Sequence, residues 1–301
     1  MSILVTGGHG MLGSSVDFGL KPNRKTLDLN KYSDIKTYLD NNEVTEIIHL
    51  AAKVGGVGAN IKYNLDFLLE NSIINSNILK AIAEYKIQKS TFLLSTCVFP
   101  SNILGEISEF DIHEGQPHST NLGYGYGKRL LEIGSRCLLS QYNIKSSCII
   151  PCNMYGKNDN YNLEYSHVIP GLIHKCYLAK INNTDFEIWG SGKAEREFLY
   201  AGDMARILRS IHIDNNPYPE IMIVSPHTTY SILQIVEIII KLLKFNGKVV
   251  FDSTKPEGAK RKTSNNSVFK QYFPNFNFTG IKEGLELTIE DFLRNYDSLR
   301  K

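Results

Sequence analysis

The sequence predicts an α/β fold: a doubly wound parallel sheet in the first half, followed by a smaller α/β lobe. Short apolar runs, Ile3-Leu4-Val5, Ile47-Ile48-His49-Leu50, Phe92-Leu93-Leu94 and Cys148-Ile149-Ile150, recur through the first 150 residues. They do not alternate polar with apolar residues, which is the pattern of strands covered on both faces. Segments of helical periodicity over 65–85 and 126–142 separate the last three runs, and strand–helix alternation of this kind builds a parallel sheet.

The first strand runs straight into Gly7-Gly8-His9-Gly10-Met11-Leu12-Gly13. Its Gly-x-x-Gly-x-x-Gly spacing differs by one position from the glycine fingerprint of dinucleotide-binding, Rossmann-like folds. The physics is shared, because glycine permits a tight turn and lets backbone approach a pyrophosphate. The turn is therefore either a cofactor site or an ordinary strand–helix corner. Only about ten residues separate Gly13 from Arg24, too few for a full helix and a second strand. Arg24 is either a contact for a 2′-phosphate, which would select NADP(H) over NAD(H), or an exposed loop arginine.

Beyond Pro151 the regular alternation stops. Loops rich in Asn, Gly and aromatic residues precede an amphipathic helix over Ser231–Lys244, a strand over Lys248–Phe251 and a terminal helix over Ile281–Asn295. The predicted division is a dinucleotide-binding domain over 1–152 and a substrate lobe over 153–301, with strands near 196–225 returning to the main sheet.

Composition narrows the function classes. A net charge of +2 on 301 residues gives no reason to expect nucleic acid or an anionic membrane as partner. The longest aliphatic segment, Ile232 to Leu243, is interrupted by Gln234, Glu237 and Lys241, and falls short of the roughly 20 residues that cross a bilayer. A strand pattern from Ser2 leaves no room for a targeting peptide, so the cytoplasm is the expected compartment. The five cysteines show no Cys-x-x-Cys pairing, and neither disulfides nor a metal site are expected.

Tyr124-Gly125-Tyr126-Gly127-Lys128 opens the helical segment that ends at Tyr142. Four residues apart on a helix, Tyr124 and Lys128 share a face. A neighbouring ammonium would stabilise the phenolate and lower the tyrosine pKa from about 10, suiting it to exchange a proton with a carbonyl. Ser95 follows the Phe92–Leu94 run, at the carboxyl end where parallel sheets place ligands, and would hydrogen-bond the same oxygen. Cys97 lies two residues on, on the same face as Ser95 if the segment is extended. It is either a reactive thiol or a core one.

With the glycine turn, the serine and the Tyr-x-x-x-Lys pair in place, the chain resembles the extended short-chain dehydrogenases/reductases. Further stretches narrow the likeness to the GDP-L-fucose synthase family: Ala51-Ala52-Lys53-Val54-Gly55-Gly56, Ser95-Thr96-Cys97-Val98-Phe99-Pro100, His167-Val168-Ile169-Pro170 and Trp189-Gly190-Ser191-Gly192. Arg196-Glu197-Phe198 and Lys255-Pro256-Glu257-Gly258, followed by Arg261-Lys262-Thr263, extend it over nearly the whole chain.

The resemblance implies a bifunctional enzyme that epimerises C3 and C5 of GDP-4-keto-6-deoxy-D-mannose and reduces its C4 ketone with NADPH. It implies Cys97 and His167 as the acid–base couple. Cofactor contacts would come from the glycine turn, Ala52, Leu93, Leu94, Ser95, Thr96, Lys128, Pro151, Cys152, Asn153, Met154 and His167. Substrate contacts would come from Lys175, Trp189 and Arg196, with the basic stretch Lys255 to Lys262 also near the nucleotide. It further implies a homodimer formed through the Tyr–Lys helix and its neighbour. Two other readings stay open: the same chemistry on another nucleotide-linked 4-keto sugar, a heptose or deoxyhexose, and a cofactor-binding protein without catalysis.

Overall fold

The computed structural model describes residues 2–103, 105–254 and 261–301, side chains at 261–262 excepted. The basic stretch expected near the nucleotide thus lies outside the described residues, apart from the backbone of its last two. The chain opens with β1 (Ser2–Thr6), α1 (Met11–Ser15), α2 (Tyr32–Asp40), β2 (Val44–His49), α3 (Val57–Lys62), α4 (Asn64–Glu84) and β3 (Lys89–Leu93). There follow α5 (Leu122–Tyr142), β4 (Lys145–Pro151), β5 (Asn153–Tyr155), α6 (Val168–Asn182), β6 (Phe186–Trp189), β7 (Glu195–Tyr200), α7 (Ala201–His212) and β8 (Ile221–Val224). It closes with β9 (Thr229–Ser231), α8 (Ile232–Leu243), β10 (Val249–Asp252), β11 (Arg261–Lys262), α9 (Ser267–Tyr272) and α10 (Ile281–Asn295).

The predicted α/β class is borne out. Five parallel strands form the main sheet in the order β1-β2-β3-β4-β8. Side chains alternate between its faces. Leu4, Ile47, Phe92, Ile150 and Ile223 pack with α2, α4 and α5, whereas Val5, Ile48, Leu93, Ile149 and Val224 pack with α1 and α7. Each such aliphatic side chain taken out of water contributes about 1.5–3 kcal/mol, so both layers are held to the sheet along its length.

The short stretch after Gly13 folds as its length allows. Helix α1 has only five residues, and in place of a second strand there is a single parallel bridge between Leu4 and Leu20, with Val5 N donating to Leu20 O at 2.9 Å and Leu20 N to Ile3 O at 2.7 Å. The chain then crosses to the other side of β1 to make β2. This reversal leaves a crevice beyond the carboxyl ends of β1 and β2, the position at which open α/β sheets bind ligands.

Of the stretch 196–225, β8 completes the main sheet, while β7 lies in a separate sheet with β5, β9 and β11. Strands β6 and β10 pair in parallel. Around them α6, α8 and α10 enclose a second core that includes Tyr155, Tyr161, Ile173, Ile188, Ile239 and Phe292. The predicted amphipathic helix is α8, where a reciprocal capping box starts the first turn: Gln234 N donates to Ser231 Oγ at 3.1 Å and Ser231 N to Gln234 Oε1 at 2.8 Å.

Candidate active site

Gly7 follows β1 with a φ of +71°, a region L side chains rarely enter, and a Cβ there would stand 2.7 Å from Ala51 N. A Cβ on Gly13 would meet Gly7 O at 2.2 Å, so α1 packs directly onto the turn. Above Gly10 the space is open; a Cβ would touch only Gly7 O at 3.4 Å. Two glycines are thus demanded by packing, and the third leaves bare backbone facing the crevice.

Ala52 lies in the loop leaving β2. That loop is pinned to α4 by one asparagine: Lys53 N donates to Asn71 Oδ1 at 2.9 Å, and Asn71 Nδ2 donates back to Lys53 O at 3.1 Å. The loop therefore has one position beside the glycine turn.

Helix α5 begins at Leu122, two residues before Tyr124, and Asn64 Oδ1 accepts the Gly123 N–H of its first turn at 2.6 Å. Tyr124 and Lys128 thus sit in one continuous helix, both buried, 8 % and 1 % exposed respectively. Tyr124 packs edge-on to Phe67 at 6.2 Å between ring centroids and hydrogen-bonds Ser95. Lys128 Nζ donates to Leu93 O at 2.7 Å.

Two expectations need correction. Residues Thr96–Val98 form a 3₁₀ turn rather than extended chain, with Ser95 Oγ accepting from Cys97 N at 3.3 Å. Strand alternation therefore does not bring Cys97 to Ser95. The turn does, and it sets Cys97 near enough to Tyr124 for a thiolate charge to act on the phenol. The second correction concerns acidity. Burial pushes the Tyr124 phenol up, the Cys97 charge adds to this, and only the Ser95 hydrogen bond opposes it. Lys128, engaged by Leu93 O, is itself lowered by burial to about 7. The protein holds Tyr124 as a proton donor, not as a phenolate.

His167 caps the start of α6 and is solvent-accessible, yet enough protein surrounds its ring to lower its pKa. Its loop is drawn to the site by Gly56 N, which donates to Tyr165 O at 2.8 Å. Tyr165 packs in the same cluster as Phe67, Tyr124 and Cys97.

Leu93 ends β3 and Leu94 follows it, its N–H donating to Ile149 O at 2.8 Å; Pro151 ends β4, and Cys152 continues the sheet through Cys152 N to Val224 O at 3.0 Å. Burial raises the Cys152 thiol well above its ordinary value, so it is a packing residue. Asn153 and Met154 open β5, and Asn153 Nδ2 donates to Glu197 O at 2.9 Å. Lys175 Nζ lies 4.3 Å from the Trp189 ring centroid, a cation–π contact joining α6 to β6. Arg196 is half-buried on β7, its pKa lowered by desolvation, and Nη1 donates to Glu195 O at 2.7 Å. Arg24 is largely exposed and paired with Asp28 at 3.8 Å.

Several polar residues here escaped the sequence reading. Lys21 lays its stem across Gly8, and its carbonyl contacts His9 Nε2 at 3.1 Å. Asn158 Nδ2 donates to His9 O at 3.1 Å, so the 157–163 loop touches the glycine turn. Thr6, His49 and Asn75 are fully buried behind it. One signal was available: Asn71 and Asn75, one helical turn apart, interrupt the apolar face of α4.

The family model described as "NAD dependent epimerase/dehydratase family" matches residues 3–224. The chain belongs to that family. Within this epimerase/dehydratase family it is 36% identical to GDP-L-fucose synthase of Dictyostelium discoideum, over 100% of this chain and 98% of the relative. It is 34% identical to GDP-L-colitose synthase of Yersinia pseudotuberculosis, over 97% and 98% of the two chains. Among solved structures it is similar to a GDP-L-fucose synthetase from Naegleria fowleri bound to NADP. That match has a TM-score of 0.93 and 36% identity, covering 100% of this chain and 95% of the other.

Proposed function

We infer that this chain is a GDP-L-fucose synthase, converting GDP-4-keto-6-deoxy-D-mannose to GDP-L-fucose with NADPH. The observation that carries the reading is the buried Tyr124 and Lys128 with the half-buried Ser95, beside Cys97 at the carboxyl end of β3, in a chain similar along its full length to proteins of that name. The crevice fits the cofactor: bare backbone at Gly10, a fixed loop at Ala52 and the ends of β3 and β4 line its expected course. Gly7 to Gly13, Ala52, Leu93 to Thr96, Lys128, Pro151 to Met154 and His167 would hold it, with Arg24 at the 2′-phosphate.

When bound, NADPH supplies the hydride that reduces C4. The rest is proton handling by the chain. Protons at C3 and C5 are acidic only while C4 is a ketone, so epimerisation precedes reduction. Cys97 and His167 remove and return these protons from the two sides of the ring. Tyr124, kept protonated by burial, then gives its proton to the C4 oxygen, which Ser95 orients. The Lys128 ammonium stabilises the phenolate left behind. Lys175, Trp189 and Arg196 hold the substrate, Arg196 by its fit to a diphosphate.

An exposed apolar stripe supports a homodimer. Leu65, Leu69 and Ile73 repeat every turn along α4, and Tyr126 and Ile133 flank them on α5, each at least 40% exposed. We place the enzyme in the cytoplasm, acting on a free nucleotide sugar without nucleic acid or membrane, on its near-neutral charge. No helix among the described residues is long and apolar enough to cross a membrane. We keep the domain division at 152/153, with Asn153, Met154 and His167 reaching back from the second lobe to the cofactor and Lys175, Trp189 and Arg196 taking the substrate.

Purified protein mixed with NADPH and GDP-4-keto-6-deoxy-D-mannose should oxidise NADPH and yield GDP-L-fucose; an inert mixture defeats the assignment. A second reading, another GDP-linked 4-keto sugar, is favoured by the 34% identity to a GDP-L-colitose synthase. A screen of 4-keto sugars, with products identified by mass and proton spectra, separates the two.

A further inference from the structure

Behind the glycine turn, four hydrogen bonds join five polar groups in an unbroken line through the core. Ala51 N donates to Thr6 Oγ1 at 3.4 Å, Thr6 Oγ1 lies 2.7 Å from His49 Nδ1, His49 Nε2 lies 2.9 Å from Asn75 Oδ1, and Asn75 Nδ2 lies 2.7 Å from Gly127 O. Thr6, His49 and Asn75 are 2 %, 0 % and 0 % exposed.

Donor and acceptor arithmetic fixes every proton on this line. Gly127 O can only accept, so the amide nitrogen of Asn75 must face it and the amide oxygen must face His49. That oxygen also only accepts, so His49 carries its proton on Nε2. Burial, with the Lys128 charge nearby, lowers His49 to about 3, so the ring is neutral and Nδ1 is an acceptor. Thr6 therefore donates to Nδ1 and receives the Ala51 N–H. All the bonds run one way.

The two ends of the line matter. Thr6 immediately precedes Gly7, and Ala51 is the residue against which Gly7 packs. Gly127 carries the peptide carbonyl that precedes Lys128, one turn from Tyr124. The spacing between the cofactor turn and the proton-donating helix is spanned by these side chains.

We propose that Thr6, His49 and Asn75 are a tautomer-locked strut holding the glycine turn at a fixed distance from helix α5, with His49 a positioning residue for hydride transfer. The proposal rests on the reductase reading above. A single imidazole with one allowed tautomer resists sliding in a way an apolar contact would not, since any displacement breaks a buried hydrogen bond at each end. No member of the strut touches substrate; it acts through the placement of Tyr124 and Lys128.

The experiment has two arms. Long-range ¹H–¹⁵N spectra of the full chain should show the buried His49 ring neutral at pH 7 with its proton on Nε2. An Nδ1-protonated or cationic ring overturns the strut, whatever the substrate. In the second arm, Thr6→Val, which keeps shape but removes the donor, should lower kcat for reduction about tenfold while the KM for the keto sugar stays within about twofold. Thr6→Ser should restore kcat. Asn75→Asp, which turns a donor to Gly127 into a repelling acceptor, should give the same kcat loss and covers the case of a Thr6→Val chain that does not fold. Unchanged kcat in Thr6→Val or Asn75→Asp, or failure of Thr6→Ser to restore it, overturns the proposal. An inert wild type with the Nε2–H tautomer counts against the sugar assignment and leaves the strut standing on its spectrum.

Discussion

Lys128 donates to the carbonyl oxygen of Leu93 at 2.7 Å, tying the Tyr124 helix to the last residue of β3. The bond fixes where the ammonium stands, and burial sets its pKa at about 7. Above that pH the group that would stabilise the Tyr124 phenolate loses its charge. We expect kcat/KM for reduction to fall on the alkaline side with a midpoint near 7; a profile level to pH 9 would remove Lys128 from this role. Stability runs the other way. Between about 7 and 10 the unfolded lysine still binds its proton and the folded one does not, so this group makes stability rise with pH.

Tyr124→Phe removes the proton donor and leaves the ring packed on Phe67. Reduction should slow by about 10²–10⁴-fold, with NADPH affinity nearly unchanged by fluorescence titration. Retained turnover would transfer the role to another group.

Cys97→Ala should stop deuterium uptake from heavy water at C3 or C5 while leaving NADPH binding intact, because the thiol lies in the 3₁₀ turn beyond the cofactor strand. His167→Asn should likewise stop uptake at C3 or C5. Full exchange at both carbons in either variant refutes the couple.

Gly7→Ala combines a positive φ with a Cβ 2.7 Å from Ala51 N. Backbone strain of about 1–3 kcal/mol, added to displacement of the turn, should lower both the melting temperature and NADPH affinity. Calorimetry and titration read the two separately; an unaffected variant would mean that the turn does not bear on the cofactor.

Leu69→Glu puts a charge in the exposed stripe between Leu65 and Ile73, where Leu69 is 51% exposed. Light scattering should give a dimer for the wild type and a monomer for this variant, with circular dichroism unchanged. A wild-type monomer contradicts the dimer outright.

Much of the site was legible because its chemistry is local. Glycine spacing marks a turn, and Tyr124 and Lys128 share a face through helical periodicity alone, which the structure repeats. Cys97 was found for a reason that fails, since its placement comes from a 3₁₀ turn capped by Ser95. The acidity of Tyr124 was misjudged in direction. Desolvation depends on what α4 and the Tyr165 loop pack around the phenol, and no spacing rule reports that.

The sequence by itself determined the parallel sheet, the glycine turn and the helix that carries Tyr124 and Lys128. Hydrophobic periodicity and glycine conformational freedom act over a few neighbouring residues, so they are written in local order. Only the tertiary structure decided that Lys128 bonds Leu93 O, that β7 leaves the main sheet, and that Thr6, His49, Asn75 and Gly127 align across β1, β2, α4 and α5. Those relationships join groups tens of residues apart, and their protonation states follow from which atoms meet in the buried core.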